Sequence, residues 1–422
     1  METPKDINYD QLPHKNILCI DMKSFYASIE AADRGLDPWE DCLAVVGDKN
    51  RDGGVVLAAT PAIKEKYQIG TANRVYQIPE SSDIKIVEAR MGLYLDRSME
   101  ITRMFNQYVP LDSIHVYSVD ESWLDLTGTE KLYGDKMKTA EEIKERLRKE
   151  YGLFCSMAIG PNMFMAKVAM DIEGKKKGLV EWTYDDVPDK LWPLPLKECW
   201  GIGSRLAQRL GKIGVKTVGD LAHLPLNYLE DKFGVMGNQL YYHAWGVDLS
   251  RVEGHYQDEP RSIGRGITLY RDYREKEEIK TVIFELSEVV ARRARQQNVV
   301  GRTINLGVAY SREERTGGFN RQRTIEGYTN LVFDIYQTCL DLFSQFYNGE
   351  RVRKVNVSLS NLASDQELQL NLFSDKDKEA RLNYLKDQLQ DKFDHKALFY
   401  GRSLKKGSIR ERINTTIGGH KR

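Results

Sequence analysis

Little in this sequence points to a metal held by sulfur or imidazole. Its 422 residues include five cysteines, Cys19, Cys42, Cys155, Cys199 and Cys339, and seven histidines. The cysteines lie far apart with no C-x-x-C pair, and the histidines form no H-E-x-x-H or H-x-H pattern. That argues against a zinc or iron enzyme and for free thiols in a reducing compartment. No apolar run approaches the roughly 18 residues of a membrane-spanning helix. The opening METPKDINYDQLPHKN lacks the apolar stretch of a secretory signal, so the expected location is the cytoplasm, with no membrane partner. Net charge is lacking as well, 62 Lys and Arg against 62 Asp and Glu. The balance hides an asymmetry: residues 251–422 carry +7 and residues 1–250 carry −7. A basic second half suits a phosphate backbone and an acidic first half suits cations, although chance scatter explains the split equally well on charge alone.

What is present is an ordinary globular composition, 41% hydrophobic and 29% charged, in a chain long enough for roughly two to four domains. The run NILCIDM at 16–22 reads as a buried strand whose end delivers an acid. A helix from Phe25 to Arg34 follows, then strands at Cys42–Val46 and Val55–Ala59 and a short basic helix after Pro61. Residues 92–109 have helical apolar spacing, and 114–126 (IHVYSVDESWLDL) reads as two short strands hinged at Val119-Asp120-Glu121. An amphipathic helix over 139–150, a strand over 154–159 and a helix from Met163 to Glu173 complete an α/β pattern to about residue 182. Residues 183–250 look helical throughout, and the polar stretch 251–260 reads as a linker. Then come a strand (261–270), a long helix (276–297), strands (302–310 and 319–327), a helix (330–347) and a strand (351–359). Beyond Leu362 the chain is polar, with one amphipathic helix candidate around Leu382, Leu385, Leu389 and Phe393.

The acids carry the chemistry. Phosphoryl transfer asks for positioning and charge neutralisation, and a pair of magnesium ions supplies both with a few carboxylate ligands. Asp21 ends a buried strand, and Asp120 and Glu121 stand at a hairpin hinge. Alone, an Asp ending a strand is usually a turn former or helix cap, and an Asp-Glu pair in a hairpin is more often a solvated turn. If the two strands are neighbours in one sheet, the three acids converge.

The segments DMKSFYASIE at 21–30 and YSVDESWLDLTG at 117–128 together resemble the signature motifs of the Y-family translesion DNA polymerases. The wording is nearest the bacterial UmuC and UvrX-like UV-resistance branch, and the resemblance runs from about residue 15 to 373. It implies a multidomain α+β fold of the right-hand polymerase type. The palm is α/β (15–22 and 83–182) and the fingers are small (23–82). A helical thumb (183–250), the linker (251–260) and a little finger of four strands and two helices (261–364) follow, with a tail from 365 to 422. It further implies two Mg²⁺ ions bound by Asp21, Asp120, Glu121 and the main-chain carbonyl of Met22. Tyr26 falls at the steric-gate position that excludes a 2′-hydroxyl, beside Phe25, and both read otherwise as core aromatics. For the triphosphate, Lys64 falls near the family's finger arginine, although Pro61 stands where relatives carry a phosphate-binding tyrosine. Lys175 best fits the palm lysine, with Lys176 as the rival alignment.

For DNA, CWGIGSRLAQRLGKIGVKTVGDL (199–221) reads as a helix-hairpin-helix, whose Gly201 and Gly203 turn exposes backbone N–H groups to a phosphate. Arg265, Arg353 and Lys354 lie on strands that resemble the little finger's DNA-facing strands. Arg321 and Arg323 alternate on another strand and therefore point to one face. In the tail, Gln369-Leu370-Asn371-Leu372-Phe373 matches the pattern by which bacterial polymerases dock on the sliding clamp, apolar anchors in a groove with a polar glutamine. The expected partners are primer-template DNA, dNTPs and the clamp, with room for an accessory subunit of the SOS response and a monomeric chain. The expected activity is low-fidelity lesion bypass without proofreading, in a bacterial cytoplasm at the nucleoid. Two other readings compete: a catalytically inactive DNA and clamp adaptor of the same family, and a helix-hairpin-helix nuclease or glycosylase, which leaves residues 16–180 unexplained.

Overall fold

A computed structural model describes residues 7–49, 53–253, 261–314, 316–367, 376–393, 398–417 and 420–421. The clamp-motif candidate 369–373 and most of the 251–260 linker lie outside the described residues. The chain divides into two compact units, with the boundary inside that linker.

In the first unit the run ILCIDM forms β1 (Ile17–Met22), whose first four residues are wholly buried. After α1 (Phe25–Ala32) comes a small layer of β2 (Cys42–Val46), β3 (Val56–Ala59), α2 (Pro61–Tyr67) and β4 (Ile84–Glu88). A strand buried along its length, as β2 is, must have its backbone groups paired on both sides. β3 pairs with it antiparallel and β4 parallel. This layer therefore includes β4, which lies beyond the boundary at residue 82 that the resemblance implied.

Next come α3 (Met91–Phe105), β5 (Ile114–Val116), β6 (Glu121–Asp125), α4 (Glu130–Tyr133), α5 (Lys136–Tyr151), β7 (Cys155–Gly160) and α6 (Met163–Ala169). The main sheet has the order β5-β6-β1-β7 and ends in β8 (Leu179–Glu181). β1 is central and antiparallel to both neighbours. α6 packs on β1 and β7, and all seven of its residues are buried. It approaches so closely because Gly160 lacks a side chain: a Cβ there would lie 2.4 Å from the Ala166 backbone nitrogen. The helix expected to continue to Glu173 instead widens into a π turn at Met170–Gly174, then returns to α geometry in α7 (Lys175–Lys177). Such a turn accommodates one extra residue and shifts the phase of everything after it. The helical stretch contains α8 (Ser204–Gly211), α9 (Val218–Ala222), α10 (Leu226–Phe233) and α11 (Val235–Ala244). Its Leu210, Leu221 and Trp245 share one core with Cys19, Trp123 and Phe164 of the sheet layer.

The second unit contains β9 (Ser262–Tyr273), α12 (Lys276–Gln296), β10 (Val299–Tyr310), β11 (Gly318–Thr329), α13 (Val332–Phe346) and β12 (Val352–Ser364). The strands form an antiparallel sheet in the order β11-β10-β12-β9. Ile263, Leu269, Ile304, Leu306, Val357 and Leu359 face α12 and α13. Alternation sends the intervening side chains to the other face. Across the strands that face reads Thr324-Thr303-Ser360-Ser262, then Gln322-Asn305-Ser358-Gly264, Asn320-Gly307-Asn356-Gly266 and Gly318-Ala309-Lys354-Thr268.

After it come α14 (Lys376–Phe393) and α15 (Arg410–Thr415). The apolar stripe expected to bury α14 points outward: Leu382, Leu385 and Phe393 are exposed, while Asn383, Lys386, Asp387 and Gln390 are buried. The reason is electrostatic, since α12 meets α14 with Arg295 on Asp387, Arg292 on Asp391 and Glu288 on Lys386. Among the described residues no helix is long and apolar enough to cross a membrane.

Candidate active site

The pairing of β1 with β6 sets Asp21 directly opposite Glu121. The Met22 N–H donates to the Asp120 carbonyl at 2.9 Å, tying the hinge residue to the end of β1. The Asp120 carboxylate accepts from the Ser118 hydroxyl at 2.5 Å within its own turn. Into this group α6 projects Lys167, whose Nζ lies 2.7 Å from Glu121 Oε1, 3.3 Å from Asp171 Oδ2 and 4.0 Å from Asp21 Oδ2.

Burial pushes the Glu121 carboxyl above its ordinary range, with Lys167 opposing, and burial does the same to Asp21 against Lys175 and Lys167. Burial works against the Lys167 charge, yet the bond to Glu121 and the surrounding negative charge raise its pKa overall. Partly buried oxygen donors that already gather an ammonium fit a hard cation such as Mg²⁺. Among the described residues no three His, Cys, Asp or Glu side chains close around one point by themselves. The Lys167 ammonium is the group toward which Asp21, Glu121 and Asp171 turn.

The chain passes from β1 to α1 through Ser24, whose φ of 52° lies in the left-handed region rarely used by serine. Phe25 is buried. Tyr26, half-buried, stacks on Tyr94 with ring centroids 4.4 Å apart. Burial first and the Asp120 charge second raise the Tyr26 phenol pKa, so the ring lies within electrostatic reach of that hinge acid. From α2, Lys64 donates to the Ser24 hydroxyl at 2.7 Å. Lys175 and Lys176 are both exposed, and Lys175 donates to Asp171 at 2.6 Å and acts electrostatically on Asp21. Of the two lysines, Lys175 is the one bonded to Asp171, one turn before it.

Gly201 has a φ of 89°, which only glycine adopts freely, and Gly203 leads directly into α8. The basic residues of the second unit are not gathered on one surface. Lys354 is exposed on the open face of the sheet. Arg265 alternates with Ile263 and Ile267 and so lies on the helix side of β9, where burial and the charges of Arg293 and Arg412 depress its pKa. Arg321 and Arg323 do share a face, but it is the helix side: Arg321 lies over the Phe346 ring and Arg323 bonds Asp341, both on α13. Arg353 reaches Asp272 at 3.4 Å, at the irregularity between Val352 and Lys354.

Comparisons with known proteins identify the family. The impB/mucB/samB family matches residues 20–171 and its C-terminal domain matches 260–372, with the IMS family HHH motif at 184–215. The chain is 47% identical over 98% of its length to UvrX of Bacillus subtilis (strain 168), named for UV-damage repair, and covers 100% of it. It is 37% identical to DNA polymerase IV 2 of the same organism, over 97% of this chain and 99% of that one. The chain belongs to the Y family of DNA polymerases. Its fold is similar to that of a solved Y-family DNA polymerase chimera, with a TM-score of 0.67 at 21% identity over 83% of this chain and 99% of the other. In Y-family terms the five-stranded sheet is the palm, the small layer the fingers, the helical stretch the thumb and the four-stranded unit the little finger.

Three residues at or behind this candidate site escape the sequence reading. Lys167 is hidden in the apolar run of α6, and its one signal is a charge within a wholly buried helix. Glu30 is an acid inside the apolar face of α1, and Tyr94 lies in α3 with nothing local to mark it.

Proposed function

We propose that this Y-family chain is a low-fidelity, template-directed DNA polymerase for translesion synthesis, transferring a nucleotidyl group from a dNTP to a primer 3′-hydroxyl. One observation carries the reading: Asp21 and Glu121 face each other across β1 and β6, with Asp120 tied to Met22 at the same edge. Asp21, Asp120, Glu121 and the Met22 carbonyl would hold two Mg²⁺ ions. Such ions lower the pKa of the attacking hydroxyl and neutralise the charge of the triphosphate and its leaving pyrophosphate.

The chain's own groups supply the rest. Tyr26 stands beside the acids, where the sugar of an incoming nucleotide would lie, and leaves no room for a 2′-oxygen. Phe25, buried, holds its ring 5.9 Å from that of Tyr26. Lys64, bonded to Ser24, and Lys175, bonded to Asp171, are the cations for the phosphates. The Gly201–Gly203 turn offers backbone N–H groups to a DNA phosphate without reading sequence. The small finger layer covers little of a nascent base pair, which supports loose shape checking and tolerance of damaged templates. Docking on a sliding clamp rests on the sequence pattern of Gln369, Leu370, Leu372 and Phe373 alone. Deleting 369–373 should abolish clamp stimulation and spare basal extension.

Primer extension on undamaged and lesion-bearing templates, with Mg²⁺ and dNTPs, tests the proposal. Asp120→Ala should lower extension by about a thousandfold or more. Extension that survives this change would remove the carboxylates from the mechanism. An unaltered chain that binds primer-template yet extends nothing would favour the inactive adaptor.

A further inference from the structure

The position of Tyr26 is not fixed by Tyr26 itself. It is the second residue of α1, half-buried, with its phenol open to the charge of Asp120. A ring in that situation can swing between staggered rotamers. Discriminating a 2′-hydroxyl from a hydrogen needs it held to about half an ångström. Behind it lies Tyr94, fully buried and nearly parallel, 14° from coplanar.

Tyr94 is held in turn. Its hydroxyl donates to Glu30 Oε1 at 2.7 Å. Glu30 is fully buried one helical turn beyond Tyr26, and Arg90 grips both of its oxygens, Nε on Oε1 at 2.9 Å and Nη2 on Oε2 at 2.7 Å. Arg34 bonds Oε2 as well, and Arg90 Nη2 reaches Asp33 at 2.7 Å. Burial raises the Glu30 pKa, but the bonds from Arg90, Tyr94 and Arg34 more than reverse it and leave the carboxyl below its ordinary value. A fully buried carboxylate costs the fold more than an apolar side chain of the same size, and what it gives in return is a defined geometry.

We propose that Tyr94 and Glu30 are positioning residues for sugar selection: they fix the ring of Tyr26 from behind so that it cannot retreat before a ribose. The inference rests on the reading of Tyr26 as the sugar gate. Neither residue touches the reacting atoms, and their effect is on specificity.

The test compares kcat/KM for a ribonucleoside and the matching deoxyribonucleoside triphosphate in the full-length chain with primer-template and Mg²⁺. Tyr26→Ala, Tyr94→Leu, Tyr94→Phe and Glu30→Gln are measured beside the unaltered protein. Tyr94→Leu should raise relative ribonucleotide use by about tenfold or more while deoxynucleotide kcat/KM stays within about threefold. Tyr94→Phe keeps the stacked ring, loses the bond to Glu30 and should fall between. A merely structural clamp between α1 and α3 would lower both substrates together and leave the ratio unchanged, which overturns the proposal. If Tyr94→Leu does not fold, Glu30→Gln decides: it keeps the size of the side chain and removes the charge that Arg90 and Arg34 grip. A raised ratio supports the proposal and an unmoved ratio overturns it. Should Tyr26→Ala itself leave the ratio intact, the gate reading falls and this inference with it. An altered ratio in Tyr26→Ala but none in the Tyr94 and Glu30 variants refutes the inference alone.

Discussion

At the scale of single residues, the site is organised by a cation that belongs to the chain. Lys167 is nearly buried and lies within 4.0 Å of Asp21, Glu121 and Asp171. Without it these carboxylates would face one another across a partly desolvated space, where like charges repel strongly. The same ammonium competes with any divalent ion for Glu121. Lys167→Met should therefore do two opposite things. It should destabilise the metal-free protein, by on the order of 2–3 kcal/mol, and it should lower the Mg²⁺ or Mn²⁺ concentration needed to restore stability. Thermal unfolding across a metal titration reads both without relying on activity. A variant that melts like the parent without metal, or one that metal fails to rescue, would exclude this role. The three acids could be read from sequence because their motifs are local. Lys167 could not, since its significance depends on Gly160 letting α6 lie against the sheet.

At the scale of elements, what periodicity encodes was legible and what tertiary pairing decides was not. The alternation of strand and helix from 261 to 359 gave the little finger's order, because side-chain period alone distinguishes those elements. β4 could not be assigned, since its parallel partner β2 lies some forty positions earlier. The π turn at Met170–Gly174 has no local signature, and the orientation of α14 follows from charges on α12. That last case makes a sharp prediction. Asp387 receives two bonds from Arg295, at 2.7 and 3.1 Å, in a buried setting. Asp387→Ala leaves a buried guanidinium without its carboxylate and should cost about 3 kcal/mol. Leu385→Ser, on the apolar stripe that an amphipathic reading would bury, should change stability by less than about 0.5 kcal/mol. Denaturant unfolding of the two variants compares them directly. The reverse ranking would mean that α14 packs through its leucines after all.

At the scale of the molecule, charge is distributed in a way that its sum conceals. The second half of the chain is basic by +7, yet across the four rungs that pair all four strands, the open face of the little-finger sheet is built of Gly, Ser, Thr, Asn, Gln and Ala, with Lys354 the one charged side chain among them. Arg321 and Arg323 are turned to α13 and Arg265 to the helix side. If that face meets DNA, it does so through hydroxyls, amides and close backbone approach, which suits a grip that slides and ignores sequence. Affinity that depends on neutralised phosphates falls with salt by a logarithmic slope of about 0.9 per contact, whereas neutral hydrogen bonds add nothing to that slope. Lys354→Ala should accordingly reduce the steepness of the salt dependence by about one contact. Arg321→Ala and Arg323→Ala should leave the slope as it is while loosening α13. Fluorescence anisotropy of a labelled primer-template, titrated with the full-length chain at several salt concentrations, measures the slope. Slopes that fall in Arg321→Ala and Arg323→Ala but not in Lys354→Ala would mean that the phosphate backbone lies along the α13 edge of β11, with the neutral face turned away from DNA.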